Sequence, residues 1–394
     1  MTPPEPLHGY RLWPSRSASS HVHFDEATIS RHLHLAGDDA FHEEAIQDLV
    51  VQQIQKGLGA LVFYPASSDT FLPAAYAAAA QSGRERDLVV LDFVSDQSTH
   101  FFEPAHHDAE LSPLKGYLSW LVRTLAERGT EASLPRSAFR LPGLKVASDE
   151  NPLVRQCVEM FGAYTDVLQS LRHVTTLSDI IDVLSSDDIV QALVASADSK
   201  QAPSSFTQLN EFPKEFSDWR DRAVSRLVRL QRVCRTTGRG KPALALNPTD
   251  SRRQVICVAM PDVLERMPGA ELSEALGVME VAALLALGVL ARVSAAACTA
   301  RRSDERNSLL LVVPELFRWA PREVLGLVEQ ARTLKIAMVQ YTRHPLRAVE
   351  LGDSAYCIES MAYTHIGRTL DLSGKFVLVH FNSDSRLAEV VTEA

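Results

Sequence analysis

The sequence predicts an α/β protein, a mostly parallel central sheet interrupted by an all-helical insertion. Three observations predict it. Short β-branched runs alternate with helical periodicity between residues 21 and 93, the periodicity becomes purely helical from Leu114 to about Cys234, and the alternation resumes at Gln254. Strand–helix alternation at this spacing builds parallel pairs, because each crossover helix returns the chain to the same end of the sheet.

Each element has its own signal. Residues 1–20 form a Pro/Ser-rich lead-in, expected to be flexible and too polar to be a signal peptide. Two short alternating segments, His21–Phe24 and His32–Leu35, read as strands. After Gly37, apolar residues at Phe41, Ala45, Ile46, Leu49, Val50 and Ile54 have helical spacing, so Phe41–Gly57 reads as a helix. Ala60–Tyr64 is a strand stopped by Pro65, Phe71–Gln81 an alanine-rich helix, and Asp87–Phe93 the next strand. Beyond a His- and acid-rich loop at 95–112, no convincing strand appears until Gln254–Ala259, and Ser199–Ser205 reads as a linker. Then come the helix Glu271–Ala297, the strand Ser308–Val313, a helix Pro321–Thr333 with proline at its start, the strand Ile336–Tyr341, and Lys375–Phe381 as the closing strand. The domains that follow are the lead-in, a first core part at 21–112, the insertion at 113–240 and a second core part at 241–394. No internal repeat is visible.

Composition narrows the function classes. The chain has 394 residues, 46% hydrophobic and 23% charged, with net charge -9. That is an ordinary soluble composition and an unpromising overall charge for a nucleic-acid binder. The most apolar run, Val281–Ala291, is too short to span a bilayer. Cys157, Cys234, Cys257, Cys298 and Cys357 are odd in number and scattered, which fits reduced thiols in a cytoplasm.

The turn between the second strand and its helix reads Gly-Asp-Asp-Ala-Phe-His-Glu-Glu from Gly37 to Glu44. It has the setting of a phosphate-binding loop, G-x-x-x-x-G-K-[ST], with the chemistry removed. That motif needs a second glycine for close backbone approach, a lysine for the β/γ-phosphates and a hydroxyl for Mg²⁺. Those three positions hold His42, Glu43 and Glu44, so a cation has become a carboxylate. The plainer reading is an unrelated strand-to-helix turn. In either reading Asp38 and Asp39 just before the helix, and Glu43 and Glu44 in its first turn, offset the helix dipole and cap free amides.

Taken in order, these segments resemble the TraD/TraG-type coupling ATPases of conjugative and type IV secretion systems, which belong with the HerA/FtsK-like, RecA-fold P-loop NTPases. The resemblance runs over roughly residues 30–385. It rests on Arg31–Gly37 with the helix ending in Lys56-Gly57, on Leu61–Asp69, on the helical insertion, on Gln254–Pro261, on Leu309–Leu316 in the place of a Walker B strand, and on Gln330–Gln340. No counterpart of the family's membrane-spanning N-terminal segment is expected, a departure from the family's pattern. The resemblance implies a RecA-like core with an all-α domain. It implies that Pro314 replaces the Mg²⁺-holding Walker B aspartate, that Glu315 keeps the water-polarising acid, that Gln340 keeps the glutamine near the γ-phosphate, and that Arg332 stands where an arginine could reach a neighbouring subunit's nucleotide. The expectation is a catalytically inactive subunit with no cofactor, cytoplasmic or peripheral at the inner membrane through a secretion complex, forming a homo- or hetero-oligomer, with other secretion or conjugation subunits as partners, an active coupling ATPase among the candidates and DNA a weaker one. The alternative is an active ATP- and Mg²⁺-dependent DNA translocase with atypical phosphate contacts.

Other constellations carry less. His21/His23 and His32/His34 are H-x-H pairs, and His106-His107-Asp108 follows, but no spacing completes a metal-ligand set. Polar side chains on exposed strand faces are the simpler reading, and no metal is expected. Residues 218–253 hold ten basic and three acidic residues, net +7, with Arg222, Arg226 and Arg229 at i, i+4, i+7. A solvated helix face is the usual meaning of such a run, and contact with a partner protein or nucleic-acid phosphates is the functional one. No G-x-S-x-G elbow exists. Trp319, near Glu315, is a core or partner-facing aromatic.

Overall fold

The computed structural model describes residues 9–13, 21–24, 33–36, 38–93, 97–104, 176–186, 188, 214–244, 253–260, 289, 309–314, 336–342, 364–370, 376–381 and 388–393. Its strands are β1 (Tyr10–Leu12), β2 (Val22–Phe24), β3 (Leu33–Ala36), β4 (Ala60–Pro65), β5 (Leu88–Asp92), β6 (Val255–Met260), β7 (Leu309–Pro314), β8 (Ile336–Thr342), β9 (Thr364–Leu370), β10 (Phe376–Phe381) and β11 (Ala388–Glu393). The described helices are α1 (Asp39–Gln55), α2 (Phe71–Gln81), α3 (Leu177–Ser185) and α4 (Lys214–Gly238).

Nine strands form one sheet in the order β11-β10-β9-β3-β8-β7-β4-β6-β5. From β9 to β5 every neighbouring pair is parallel, and β10 and β11 add an antiparallel margin. The central strands are buried on both faces, which explains their near-continuous apolar runs such as Ala60–Tyr64 and Leu309–Val312. One face packs against α1 and α2. Phe41, Ile46, Leu49 and Ile54 of α1 meet Leu33, Leu35, Val62, Val312 and Val339 in a single core.

Several expected elements differ from the structure. The lead-in contains β1, which pairs antiparallel with β2 and is fastened to α1. The side-chain amide of Gln52 donates to the Arg11 carbonyl and accepts from the Arg11 N–H, both at 2.8 Å, so a glutamine acts as a piece of strand. The phenol of Tyr10 donates to Gln53, whose amide donates to the Gly59 carbonyl at 2.8 Å. The last expected strand does not close the chain, because β9 precedes it and β11 follows it. β9 reads Thr-His-Ile-Gly-Arg-Thr-Leu, with a glycine and polar residues that weaken any strand signal. Its pairing with β3 and β10 makes it a strand. β11 is a charged edge strand, whose composition serves to discourage further pairing.

Between 105 and 240 the described elements are α3 and α4, which pack together. The chain leaves and returns at one place. The Phe101 N–H donates to the Pro242 carbonyl and the Leu244 N–H donates to the Phe101 carbonyl, each at 2.7 Å. The Glu103 carboxylate accepts from the first amide of α3, Leu177 N–H, at 2.9 Å. Of the helix expected at 271–297, Val289 is described, helical and fully buried. The helix expected at 321–333 lies outside the described residues. Among those described, no helix is long and apolar enough to cross a membrane.

Candidate functional site

Topology selects one end of the sheet. After β3 the chain passes through α1 to β4, three places to one side, while after β8 it reaches β9 on the other side of β3. β3 and β8 are neighbours whose connections diverge, and such a divergence opens a crevice at the C-terminal strand ends, where α/β sheets bind ligands. The register brings candidate positions to that end. His34 pairs with Gln340, Ala36 with Thr342, Val313 with Gln340, and Pro314 with Tyr341. Gln340 therefore lies between β3 and β7, and Pro314 closes β7 one level further out. Gly37, Glu315 and Arg332 lie outside the described residues, as do His32, His106, His107, Asp108 and Trp319.

The start of α1 is well defined. Asp38 is the N-cap, and its carboxylate accepts from the Phe41 N–H at 2.8 Å. Its carbonyl accepts from the His42 N–H at 3.1 Å. Two amides at the helix start thus already have acceptors within the chain. The helix begins at Asp39, two residues before the expected start, so Asp39 is its first residue and Glu43 and Glu44 lie in the second turn. The helix ends with Lys56 as C-cap and Gly57 at φ 75, the left-handed residue that favours glycine.

His42, Glu43 and Glu44 have defined surroundings. His42 is buried, and its ring lies 5.1 Å from that of Tyr341 on β8. Glu43 is half-buried and accepts from the Ser68 hydroxyl at 2.6 Å and the Thr70 hydroxyl at 2.5 Å. Ser68 in turn accepts from the Phe71 N–H at 3.2 Å, at the start of α2. Glu43 therefore joins the second turn of α1 to the 65–70 turn that follows β4. Glu44 is half-buried. Ser68, Thr70 and Tyr341 were not singled out in the sequence. The run Ser67-Ser68-Asp69-Thr70 before a helix is a capping signature that points to the first two.

The opposite end of the sheet is held by Arg84, which is 7% exposed. Its guanidinium donates to the carbonyls of Ile54 at 2.8 Å and Leu58 at 3.1 Å and to that of Arg253, and it pairs with Asp87 at 3.0 Å. This is a staple between α1, β4 and β6, remote from the crevice. Of the two histidine pairs, His21, His23 and His34 are described. His21 and His23 are exposed on and beside β2, whereas His34 is 2% exposed in β3, so the picture of polar residues on exposed strand faces fails for His34. No group of three metal-ligating side chains occurs among the described residues. Arg222 and Arg226 lie on α4, and Arg229 is exposed there.

Comparison with known proteins adds the fold relationship. No protein-family model matches the sequence, and no curated protein matches it. Solved structures do match. The unbound monoclinic form of the bacterial conjugative coupling protein TrwBdeltaN70 superposes with a TM-score of 0.52 at 9% identity, covering 94% of this chain and 79% of that one. Its trigonal form in complex with sulphate gives 0.52 at 11% identity, over 98% and 86% of the two chains. The plasmid coupling protein TrwB in complex with the non-hydrolysable GTP analogue GDPNP gives 0.51 at 10%, over 94% and 80%. At such identities the likeness is one of fold, and the fold is the RecA-like P-loop core anticipated from the order of elements.

Proposed function

We propose that this chain is a coupling-protein-like subunit of a conjugative DNA-transfer or type IV secretion complex, with a structural or regulatory role and no ATP hydrolysis of its own. The observation that carries the reading is Glu43. It occupies the lysine position of the loop and is fastened to Ser68 and Thr70, beside a helix start capped by Asp38. Phosphoryl transfer requires the β/γ-phosphates and Mg²⁺ to be held before any transition-state charge is stabilised. The residues present fit a triphosphate poorly. A carboxylate stands in for the ammonium, a buried imidazole packs in place of the glycine, and a proline ends β7 where an aspartate would hold the metal. With cation and metal ligand both replaced, Gln340, Glu315 and Arg332 have no bound nucleotide on which to act in this chain. Such a core keeps the shape needed to occupy one place in an assembly. Arg332 is then available to a neighbouring, active subunit, and 113–240 serves as a helical domain for partner contact.

The first test is calorimetry with ATP and Mg²⁺ at millimolar concentration, together with phosphate release in the presence of DNA. The expected outcome is no saturable heat and no turnover, unchanged in Glu315→Gln. DNA-stimulated hydrolysis abolished by Glu315→Gln would overturn the reading and make the chain an active translocase. Failure to associate with any secretion component when co-expressed would remove the scaffold role.

A further inference from the structure

Helix α4 buries Leu227, Leu230, Cys234 and Gly238 on one side. On the other it exposes Arg229, Arg232, Arg235 and Arg239, with Arg239 one residue past the helix end. At about 100° per residue the two sets fall on opposing faces, so the arginines point away from the packing that holds the helix. No described carboxylate forms an ion pair with any of the four. Beside them runs an open groove of about 400 Å³, lined among the described residues by Val228, Gln231, Arg232, Arg235, Thr236 and Arg239. The groove is amphipathic, with a valine and the arginine stems as its apolar part and guanidinium forks as its charged part.

We infer that this arginine face is a docking site for a short acid-rich segment of a partner protein. The length fits, since Arg229 to Arg239 spans about 15 Å of helix rise, a few residues of extended peptide. The charge distribution selects the occupant. Residues 218–253 carry +7 while the whole chain carries -9, so the remainder carries -16. A long polyanion such as duplex DNA would overrun the patch and meet that negative remainder, whereas a short carboxylate-bearing segment would not. Guanidinium forks take carboxylates bidentately, and Val228 gives an apolar side chain between two acids somewhere to rest. Exposed aromatic platforms for stacking single-stranded bases are absent from the described residues of this face. The inference rests on α4 alone and is independent of what the loop at Asp38–Glu44 does.

The test is fluorescence anisotropy of the full chain with a fluorescein-labelled peptide of alternating glutamate and leucine, at physiological salt. Controls are the same peptide with glutamine for glutamate and a short random-sequence DNA duplex. Saturable binding of the acidic peptide is expected, with the glutamine peptide and the duplex weaker. Arg232→Glu and Arg235→Glu should each weaken it about tenfold, the usual scale for losing a charge-assisted contact. Arg86→Glu, an exposed arginine elsewhere, should leave it unchanged. If a reversal lowers the melting temperature, Arg235→Gln and Arg239→Gln make the same comparison more gently. Absent binding, equal binding of the glutamine peptide, or indifference to the arginine substitutions would overturn the inference. Tighter binding of the duplex, lost in the same variants, would also overturn it and make nucleic acid the occupant.

Discussion

Asp38 and Glu43 hold the start of α1 in separable ways. Asp38, itself exposed, caps by accepting from Phe41 N–H. Removing an N-cap costs about 1 kcal/mol, so Asp38→Ala should lower the unfolding free energy from urea denaturation by that amount while Asp38→Ser should nearly restore it. Glu43 instead links two elements through Ser68 and Thr70. Two net hydrogen bonds to a half-buried carboxylate contribute about 1–3 kcal/mol, so Glu43→Ala should destabilise comparably. Glu43→Lys should do the same without creating nucleotide binding, because His42 and Pro314 would remain. Calorimetry on the folded Glu43→Lys variant checks this, and strong ATP binding would mean that one charge was the whole obstacle. Arg84 is the more severe case. Arg84→Met would remove the donor to the carbonyls of Ile54, Leu58 and Arg253 and the ion pair with Asp87, leaving Leu58 without its side-chain partner at a partly buried junction. Denaturant unfolding should show a loss of about 3 kcal/mol, with little relief from Arg84→Lys, which lacks the planar fork.

At the scale of elements, sequence legibility followed the strength of local pattern. The buried parallel strands and α1 and α2 were readable because apolar runs and helical spacing are imposed by burial on a specific face. β1, β9 and β11 were not, since each is short or polar and owes its conformation to partners distant in sequence. The candidate site was legible in part. Asp38 as a cap could be read from the sequence, but Ser68 and Thr70 meet Glu43 only once β4 has brought its turn beside α1. The Phe101–Leu244 junction is likewise a product of the fold. Gly238 packs so closely there that a Cβ would lie 2.3 Å from the Phe101 ring. Gly238→Ala should therefore cost about 1–3 kcal/mol by overpacking. Adding Phe101→Ala should recover part of that loss, a coupling that a double-mutant cycle would measure.

At the scale of the whole molecule, two thiols and a phenol are enclosed in the neutral state. Burial pushes the Cys257 thiol from its ordinary 9.0 to about 12, and the Cys234 thiol well up, with the Glu103 charge acting in the same direction. The Tyr64 phenol at the end of β4 is raised by burial and by the negative charge of its surroundings, Asp92 among them. In the unfolded chain these groups ionise at their ordinary values, so above about pH 9 the unfolded state binds fewer protons than the native one. Stability then falls as pH rises, because the linkage slope follows the difference in bound protons. The contribution is fully present below pH 9 and is lost progressively toward 12. Chemical denaturation at a series of pH values should show a flat midpoint from neutrality to about 9 and a steady decline beyond it. Cys257→Ala should make that decline shallower. A thiol reagent applied to the folded chain at pH 8 should leave Cys234 and Cys257 unmodified, since both are buried as thiols, and should modify them on unfolding. A midpoint independent of alkaline pH, or rapid labelling of either cysteine in the native state, would place these groups in contact with solvent and contradict the closed core around β4, β5 and β6.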